Sequence, residues 1–440
     1  MNIHIMGICG SGMSALAGWY SALGNKVTGC DGAPSSQKIF SLGKLGITVE
    51  TGHSIDHLAG IDRLIFSAAV PDDNVELAAG LASGIPVLRR SEALAELCSS
   101  HRVVAVAGAH GKTTTTSMAG WIAQETGLDP TVFLGGNMNC WNGNFRPGGN
   151  LAIVESDEFD RTFLRLTPSH AVVTSFALEH LECYGSPEGL EWAFQAFLES
   201  VLPGGTVLVP IEKPGLGYWA ERIGRRILTH GPGGDIDART GEYNGWGEKY
   251  RLFGCNGFLP APGMHNVRNA QVAIALSMAL GIEASAAIEA LASWPGVSRR
   301  LEKIGDFRGT VIVSDYAHHP DEIAAALSSV KKLTRQKVTV VFQPHLPSRT
   351  SLLYREMGNA LRIADRSFVL PIFQSREESI PGVSSELVCE AAKRSGALSE
   401  LISMDQIEGI VKAVTGGVLI FMGAGSIDAR IREVLAEVGQ

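Results

Sequence analysis

Apolar positions along the chain come in two rhythms. Short runs rich in Ile, Val and Ala, such as Ile3, Ile5 and Met6 around His4, or Val103 to Ala107, end abruptly in glycine. Behind each run, apolar residues return every three or four positions. The first rhythm reads as a buried strand and the second as the helix that covers it. In the first hundred residues this predicts strands at 3–7, 26–30 (closing on Asp31), 61–66 and 86–88. Helices are predicted from the first loop through residue 23 and at 76–83. A second block opens with a strand at 102–107 and continues through strands at 151–155 and 171–174 to a long helix at 267–280. Trp294-Pro295-Gly296 then breaks the pattern. A third block alternates again, with strands at 310–314, 337–342, 367–370 and 418–422. Strand and helix alternating in this way make an α/β chain with parallel, doubly wound sheets. No repeat of 20–50 residues and no low-complexity tract interrupts it.

A chain of 440 residues exceeds what one core supports, so the three blocks are expected to be three domains, at 1–99, 100–296 and 297–440. Thirty-seven basic residues stand against 45 acidic ones, a net charge of −8. That balance argues against a nucleic-acid binder, which needs broad positive surface, but leaves room for a nucleotide site built from a few cations. The seven cysteines are scattered singly with no Cys-x-x-Cys pair, which argues against structural zinc and a disulfide framework and suits a reducing compartment. No apolar run reaches the roughly 18 residues that span a bilayer, and no export signal is read at the N-terminus. The expectation is a cytoplasmic protein without membrane insertion.

The strongest chemical signal is Gly108-Ala109-His110-Gly111-Lys112-Thr113, followed by Thr114, Thr115 and Thr116. A turn between a buried strand and a helix aims backbone N–H groups and the helix N-terminus at a polyphosphate. Lys112 supplies a cation for the β- and γ-phosphates, and the Thr113 hydroxyl suits Mg²⁺. The loop is two residues shorter than the common Gly-x-x-x-x-Gly-Lys-Thr form. It makes the central block P-loop ATPase-like. Further metal ligands are expected where the neighbouring strands end: Glu155, heading Glu155-Ser156-Asp157-Glu158-Phe159-Asp160, and His180. The bland alternatives are a solvated acidic loop or helix N-cap, and a histidine with no ligand role.

A second glycine loop, Gly7-Ile8-Cys9-Gly10-Ser11-Gly12-Met13-Ser14, follows the first strand, with Asp31 about 24 residues on. Its Gly-x-x-Gly-x-Gly order departs from the nicotinamide fingerprint, so a diphosphate of another kind fits better; a plain tight turn is the alternative. Two phosphate loops on two domains, with a metal beside one, lead to phosphoryl transfer or ATP-driven ligation. A nicotinamide-dependent oxidoreductase is the rival from another class, and it leaves Lys112, Thr113 and Glu155 without work.

Taken together the motifs resemble the Mur ligase family along the whole chain. Gly7 to Ser14 is similar to the family's UDP-sugar loop, Gly108 to Thr116 to its shortened ATP loop, and Glu155 to Asp160 to its metal-proximal acidic run. His265-Asn266-Val267-Arg268-Asn269, Ser298-Arg299-Arg300-Leu301-Glu302, Asp315-Tyr316-Ala317-His318-His319-Pro320 and Gln343-Pro344-His345 resemble its later signatures. The early glycine loop, the paired histidines, Gln-Pro-His and the closing Gly423-Ala424-Gly425 point to the alanine-adding branch.

The resemblance implies a first, Rossmann-like domain that holds UDP-N-acetylmuramate through Gly7, Gly10, Ser11, Gly12, Met13, Ser14, Asp31 and Ser67. It implies a central domain that holds ATP through Gly108, Ala109, His110, Gly111, Lys112, Thr113 and Thr114, with His265, Asn266 and Asn269 on the adenine side. Arg300 and Asp315 would serve phosphate and ribose. The metal, Mg²⁺ or Mn²⁺, would be held by Thr113, Glu155 and His180. A Rossmann-like third domain would hold L-alanine through His318, His319, His345 and Arg376. Lys112, Glu155, His180 and His345 would carry the chemistry, an acyl phosphate formed from ATP and then attacked by the amine, in a monomer or homodimer.

Alternatives stand beside these. His318 and His319 could cap the helix that starts near Asp321, and His265 and Asn266 could cap theirs. His345 could be an interior histidine and Arg376 a solvated loop charge. Within the family the rival is the ligase that attaches a whole tripeptide to the same sugar acid. Two departures mark this chain. Leu346-Pro347 stands where the branch has Arg-Tyr, and Ser175 and Glu179 replace its Asn and Asp near His180. The carbamylated lysine of some family members has no counterpart after His180, because no lysine lies between Lys112 and Lys213.

Overall fold

The runs of Ile, Val and Ala end up sealed on both faces by helices. All but the first residue of Arg102–Ala107, and all of Val338–Phe342 and Gly417–Met422, are buried, as parallel sheets require. A computed structural model of the chain describes residues 1–141, 143–177, 181–375 and 377–438. By contacts it divides into two compact units. The first comprises Met1–Thr240, Tyr250–Leu259 and Val267–Pro295; the second comprises Gly241–Lys249, Pro260–Asn266 and the chain from Gly296 onward.

Within the first unit, β1 (Asn2–Met6), β2 (Lys26–Asp31), β3 (Thr48–Thr51), β4 (Arg63–Phe66) and β5 (Val87–Arg89) form a parallel sheet in the order β3-β2-β1-β4-β5. This is the doubly wound order, and its direction reverses between β1 and β4, which opens a crevice at their carboxyl ends. The helix Ser11–Ala22 starts there and is buried from Met13 to Tyr20. It stops because Gly24, at φ +80, takes the left-handed position that ends helices.

The second sheet of this unit contains β6 (Arg102–Ala107), β7 (Thr131–Met138), β8 (Gly143–Arg146), β9 (Leu151–Glu155), β10 (His170–Val173), β11 (Thr206–Pro210) and β12 (Arg226–His230). Its order is β12-β11-β10-β6-β9-β7-β8, and the β7–β8 edge pair is antiparallel. β6 therefore sits centrally, with β9 on one side and β10 on the other. One hydrophobic cluster joins the two sheets, running from Leu16 and Trp19 through Phe133 and Ala105 to Phe163 and Phe197. Trp19 stacks on Phe145 of β8 at 5.7 Å, and Gly18 leaves room for that ring.

A small sheet follows, β13 (Arg239–Asn244), β14 (Gly247–Leu252) and β15 (Cys255–Leu259). The second unit is then built on β16 (Glu302–Phe307), β17 (Thr310–Asp315), β18 (Val338–Phe342), β19 (Arg366–Val369), β20 (Ser399–Leu401) and β21 (Gly417–Met422). Their order is β16-β17-β21-β18-β19-β20, parallel except for the β16–β17 hairpin. Three sheet-centred domains thus follow one another along the chain, as the alternation predicts. Among the described residues no helix is long and apolar enough to cross a membrane.

Phe163 anchors the joined core: it is fully buried, with Phe194 and Phe197 at 5.2 and 5.3 Å. Phe163→Ala should cost about 3–5 kcal/mol. Urea unfolding followed by fluorescence should show an earlier midpoint, and an unchanged midpoint would contradict this account of the core.

Candidate active site

The central loop is built by two backbone departures that only glycine makes cheaply. Gly108 leaves β6 at φ +123, and Gly111 enters the helix Lys112–Glu125 at φ +83. Both are also crowded: a Cβ on Gly108 would strike Thr174 and Ser175, and one on Gly111 would strike the Asn269 amide oxygen. The segment after β10 braces the loop. The Ser175 hydroxyl accepts from His110 N at 2.8 Å, the Ser175 carbonyl accepts from Ala109 N at 3.1 Å, and the Thr174 hydroxyl donates to His110 O at 2.6 Å.

Lys112 is folded back into its own loop. Its Nζ donates to the Gly108 carbonyl at 2.5 Å, to the Ala109 carbonyl at 3.2 Å and to Glu158 Oε2 at 2.8 Å. Burial works against the ammonium, but Glu158, with Glu155 and Asp157 behind it, holds the Lys112 pKa above the ordinary lysine value. Glu158 also ties the loop down by accepting from Gly108 N at 2.6 Å. One residue along, the Thr113 hydroxyl donates to Glu155 Oε1 at 2.9 Å, while Gly135 N fixes Oε2 at 2.6 Å. Cis ligands on an octahedral Mg²⁺ stand about 2.9 Å apart. The Thr113–Glu155 pair therefore offers a hard divalent cation two oxygen donors at a fitting separation. His180, expected as a third ligand, lies outside the described residues, as does Arg376.

The acidic run divides its labour. Asp157 and Asp160 pair with Arg90, at 2.6 and 3.1 Å, and the Thr162 hydroxyl is a third partner at 3.0 Å. Burial raises the Asp157 pKa, but Arg90 outweighs it and holds the carboxyl below its ordinary value.

The first glycine loop sits at the β1/β4 crevice. Gly7, at φ +74, approaches Ser67 so closely that a Cβ would lie 3.0 Å from the serine Cβ. Asp31 is committed to the backbone, accepting from Cys9 N at 3.1 Å and from Ala33 N at 3.2 Å. It braces the loop, where a nicotinamide site would turn the carboxylate toward a ribose. The Met13 side chain belongs to the core, so any part it takes at the loop is through its backbone. The pattern of glycines gave no sign of Lys38, whose Nζ donates to the Ser14 hydroxyl at 3.2 Å; burial pulls its pKa below the ordinary lysine value.

In the second unit the candidate residues gather where β17, β18 and β21 end. Asp315 accepts from Leu301 N at 2.7 Å and Ala317 N at 2.8 Å, and Arg299 and Arg300 lie over the Tyr316 ring at 4.7 and 5.1 Å. His318 meets the His345 ring edge-on at 5.8 Å, and His345 stacks on Phe373 at 5.9 Å. Burial depresses the His318 pKa. His319 caps the helix Pro320–Leu333, as its bland reading allows, accepting from Asp321 N at 3.4 Å. Gln343 is buried and binds the start of the helix Ile427–Val438, accepting from Ile427 N at 3.1 Å. That contact locks the Gln-Pro-His and Gly-Ala-Gly segments together. Asn266 donates to Pro262 O at 2.8 Å just before the helix Met264–Ala279, and His265 Nδ1 lies 3.3 Å from the Ser329 hydroxyl. Asn269, on the same helix, instead belongs to the phosphate loop through Gly111 and Thr115.

Three family models match in chain order: the Mur ligase family catalytic domain over residues 2–102, the Mur ligase middle domain over 106–277, and the Mur ligase glutamate ligase domain over 299–425. The chain belongs to the Mur ligase family. Mur ligases are ATP-using ligases. A UDP-N-acetylmuramate–L-alanine ligase from Streptomyces avermitilis is 37% identical over 439 residues, covering 96% of this chain and 94% of its own. One from Chlorobium phaeobacteroides is 38% identical over 449 residues, covering 98% and 96%. Among solved structures, a UDP-N-acetylmuramate–alanine ligase from Thermotoga maritima aligns with a TM-score of 0.87 at 28% identity, covering 100% of this chain and 99% of that one. A murein peptide ligase from Psychrobacter arcticus aligns at 0.73 and 25% identity, covering 100% and 99%.

Asp315 of this Mur ligase has a measurable signature. Burial raises its pKa from the ordinary 3.8 to about 6, against the pull of Arg300 and two N–H groups. The folded state therefore binds the proton more tightly than the unfolded chain. Stability should fall as pH rises from about 4 to about 6, by on the order of 3 kcal/mol, and level off above. Asp315→Asn lacks this term. Comparing urea midpoints of the two proteins across that range should show the extra slope only in the chain that keeps Asp315, and parallel curves would contradict it.

Proposed function

We infer that the chain joins L-alanine to the carboxylate of UDP-N-acetylmuramate with ATP, a step in making peptidoglycan precursors. The arrangement at Lys112 carries the reaction class: one ammonium and one Thr113–Glu155 oxygen pair at the mouth of a backbone N–H loop. The choice of substrates is supported by the near full-length identity to ligases of that name.

In this reading the triphosphate replaces the carbonyls and Glu158 as partners of Lys112. Backbone N–H groups from Gly111 to Thr113 would hold the phosphates, while Thr113 and Glu155, with His180, would hold Mg²⁺. The metal would supply positive charge that offsets repulsion between the incoming carboxylate and the γ-phosphate. A carboxylate oxygen bonds to the γ-phosphorus as the bond to ADP breaks. The amine of alanine then bonds to the acyl carbon, phosphate leaves, and the amine surrenders its proton. His345, with His318 beside it at 5.8 Å, is our candidate acceptor for that proton. Lys38 and Ser14 serve the diphosphate of the sugar nucleotide. Such a protein works in the cytoplasm, where ATP and UDP-sugars are found.

Phosphate release with UDP-N-acetylmuramate and ATP should require L-alanine and should not be supported by a tripeptide. Lys112→Ala should lower kcat/KM by at least about 10²-fold. Turnover with the tripeptide alone would move the chain to the recycling branch. Unchanged activity in Lys112→Ala would remove the mechanism altogether.

Leu346-Pro347 raises the question of what holds the amino acid's carboxylate. Leu346 adopts φ +69 and Pro347 opens the helix Pro347–Leu361, which brings Arg349 round to His345, 3.4 Å from Nδ1. We assign Arg349 the cationic role that the missing arginine would have had. Arg349→Ala should raise the KM for alanine about 10- to 100-fold, the worth of a hydrogen bond to a charged group, with kcat changed much less. An unchanged KM would leave the role to Arg376.

A further inference from the structure

Behind the first glycine loop, on the opposite face of the β1–β2 pair from the core, five potential ligand residues converge. His4 of β1 lies beside Thr28 of β2, and Cys30 follows two residues on, so all three project from one face. His57 comes from the turn Ile55–Leu58, His53 from the loop before it, and Glu76 from the first turn of the helix Val75–Ala82. The Glu76 carboxylate is the hub. Its Oε1 lies 3.0 Å from His4 Nε2 and 3.2 Å from His57 Nδ1; its Oε2 lies 3.2 Å from both His53 Nδ1 and Cys30 Sγ. One ligand atom each from His4, Cys30, His57 and Glu76 falls within 4.8 Å of all the others.

We propose that His4 Nε2, Cys30 Sγ, His57 Nδ1 and the Glu76 carboxylate form a site for a divalent transition-metal ion of the zinc class, with His53 flanking its open side. This site is separate from the Mg²⁺ position at Thr113 and Glu155.

Three observations carry it. First, the donors suit the ion. Two imidazoles, a thiol and a carboxylate are what zinc takes in four-coordinate sites, where neighbouring donors stand about 3.3–3.6 Å apart. The Glu76 oxygens already stand 3.0–3.2 Å from the donor atoms of His4, His57 and Cys30, and all four donors fall within 4.8 Å of one another. Second, His4 is prepared as a ligand. Its ring is almost wholly buried, its Nδ1 is 2.9 Å from the Thr28 hydroxyl, and its Nε2 points into the cluster without making a hydrogen bond of acceptable geometry. An imidazole whose far nitrogen is held by a hydroxyl, leaving the near one aimed at the ion, is the outer-shell arrangement of metal-binding histidines. Third, the charge closes. Glu76 is fully buried and, among the described residues, its partners are histidines and a thiol, with no lysine or arginine. A divalent ion with one carboxylate and one thiolate is neutral. On binding, the Cys30 thiol gives its proton to solvent and the sulfur–metal bond forms; no oxidant or reductant is involved.

Such an ion would also stiffen the glycine loop. The Cys30 carbonyl accepts from Gly7 N at 2.8 Å and from Ile8 N at 3.2 Å, and Asp31 holds Cys9 N.

The test uses the full chain, stripped with chelator and titrated with Co²⁺ in excess Mg²⁺. One equivalent should produce a thiolate-to-cobalt absorption in the near ultraviolet with tetrahedral visible bands, displaced by one equivalent of Zn²⁺. Cys30→Ser should lose the thiolate band, and Thr28→Val should keep it while binding about 10- to 100-fold more weakly. His57→Ala, at a half-buried position, provides a second ligand deletion should Cys30→Ser fold poorly by circular dichroism, and should weaken binding at least 10-fold. No thiolate band in the folded chain overturns the proposal, as does a band that survives Cys30→Ser. Equal affinity in Thr28→Val removes His4 from the ligand set and overturns the site as drawn.

Discussion

An ammonium held, among the described residues, by groups that a polyphosphate can replace is the constraint around which the first unit is arranged. Lys112 cannot stay charged inside the loop without partners, and the partners it has are two loop carbonyls and Glu158. Glu158 in turn holds Gly108 N, and Gly108 can leave β6 only at a φ that excludes a side chain. The loop is therefore closed on itself through its own cation. In the proposed function a triphosphate would offer the same cation competing acceptors, so the ammonium would exchange one set of partners for another.

That constraint explains why three strands must end at one level. β6 delivers the loop, β9 delivers Glu155 opposite Thr113, and β10 continues into Thr174 and Ser175, which clamp His110 and Ala109. Parallel pairing in register sets all three carboxyl ends together. The same logic repeats in the first sheet, where β1 and β4 bring Gly7 and Ser67 into contact, and in the second unit, where β17, β18 and β21 assemble Asp315, Gln343 and Gly423. Ser175 illustrates how a departure from a family pattern can keep a function: the hydroxyl that replaces an amide still accepts from the loop.

The parts of this that were legible in the chain are those written in contiguous residues. The strand before each glycine loop, the loops themselves and Glu155 at a strand end are local signals. The parallel, doubly wound character of the first sheet follows from alternation, though its strand order does not. Strands without a continuous apolar run went unread. β3 is an exposed edge with the sequence TVET, β8 is polar, and β13, with the sequence RTGEYN, is polar and mostly exposed. β7 and β11 carry runs as apolar as the predicted strands, yet neither is among them. Residues that act across sequence were equally hidden. Glu158 looked like one acid among four until Lys112 was seen on it, and nothing near Lys38 indicated Ser14. Arg349 follows the two departures by only two residues, yet its value depends on a helical turn that brings it back to His345.

The cysteines show the same limit from the other side. Single cysteines without a Cys-x-x-Cys pair argue against structural zinc, because the common zinc motifs take ligand pairs from one turn. That reasoning weighs sequence spacing, whereas a parallel sheet places residues 4 and 30 two positions apart on one face by pairing β1 with β2. The 3₁₀ turn at Ile55–Leu58 and the helix that starts at Val75 then close over that face from above. Each of the four elements contributes one donor, so no element carries a motif. A site of this kind is invisible to any rule based on local spacing and follows only from the register of the strands. Its ligands are nonetheless held as firmly as the core, since His4, Cys30 and Glu76 are all buried within the same small sheet that sets the position of Gly7.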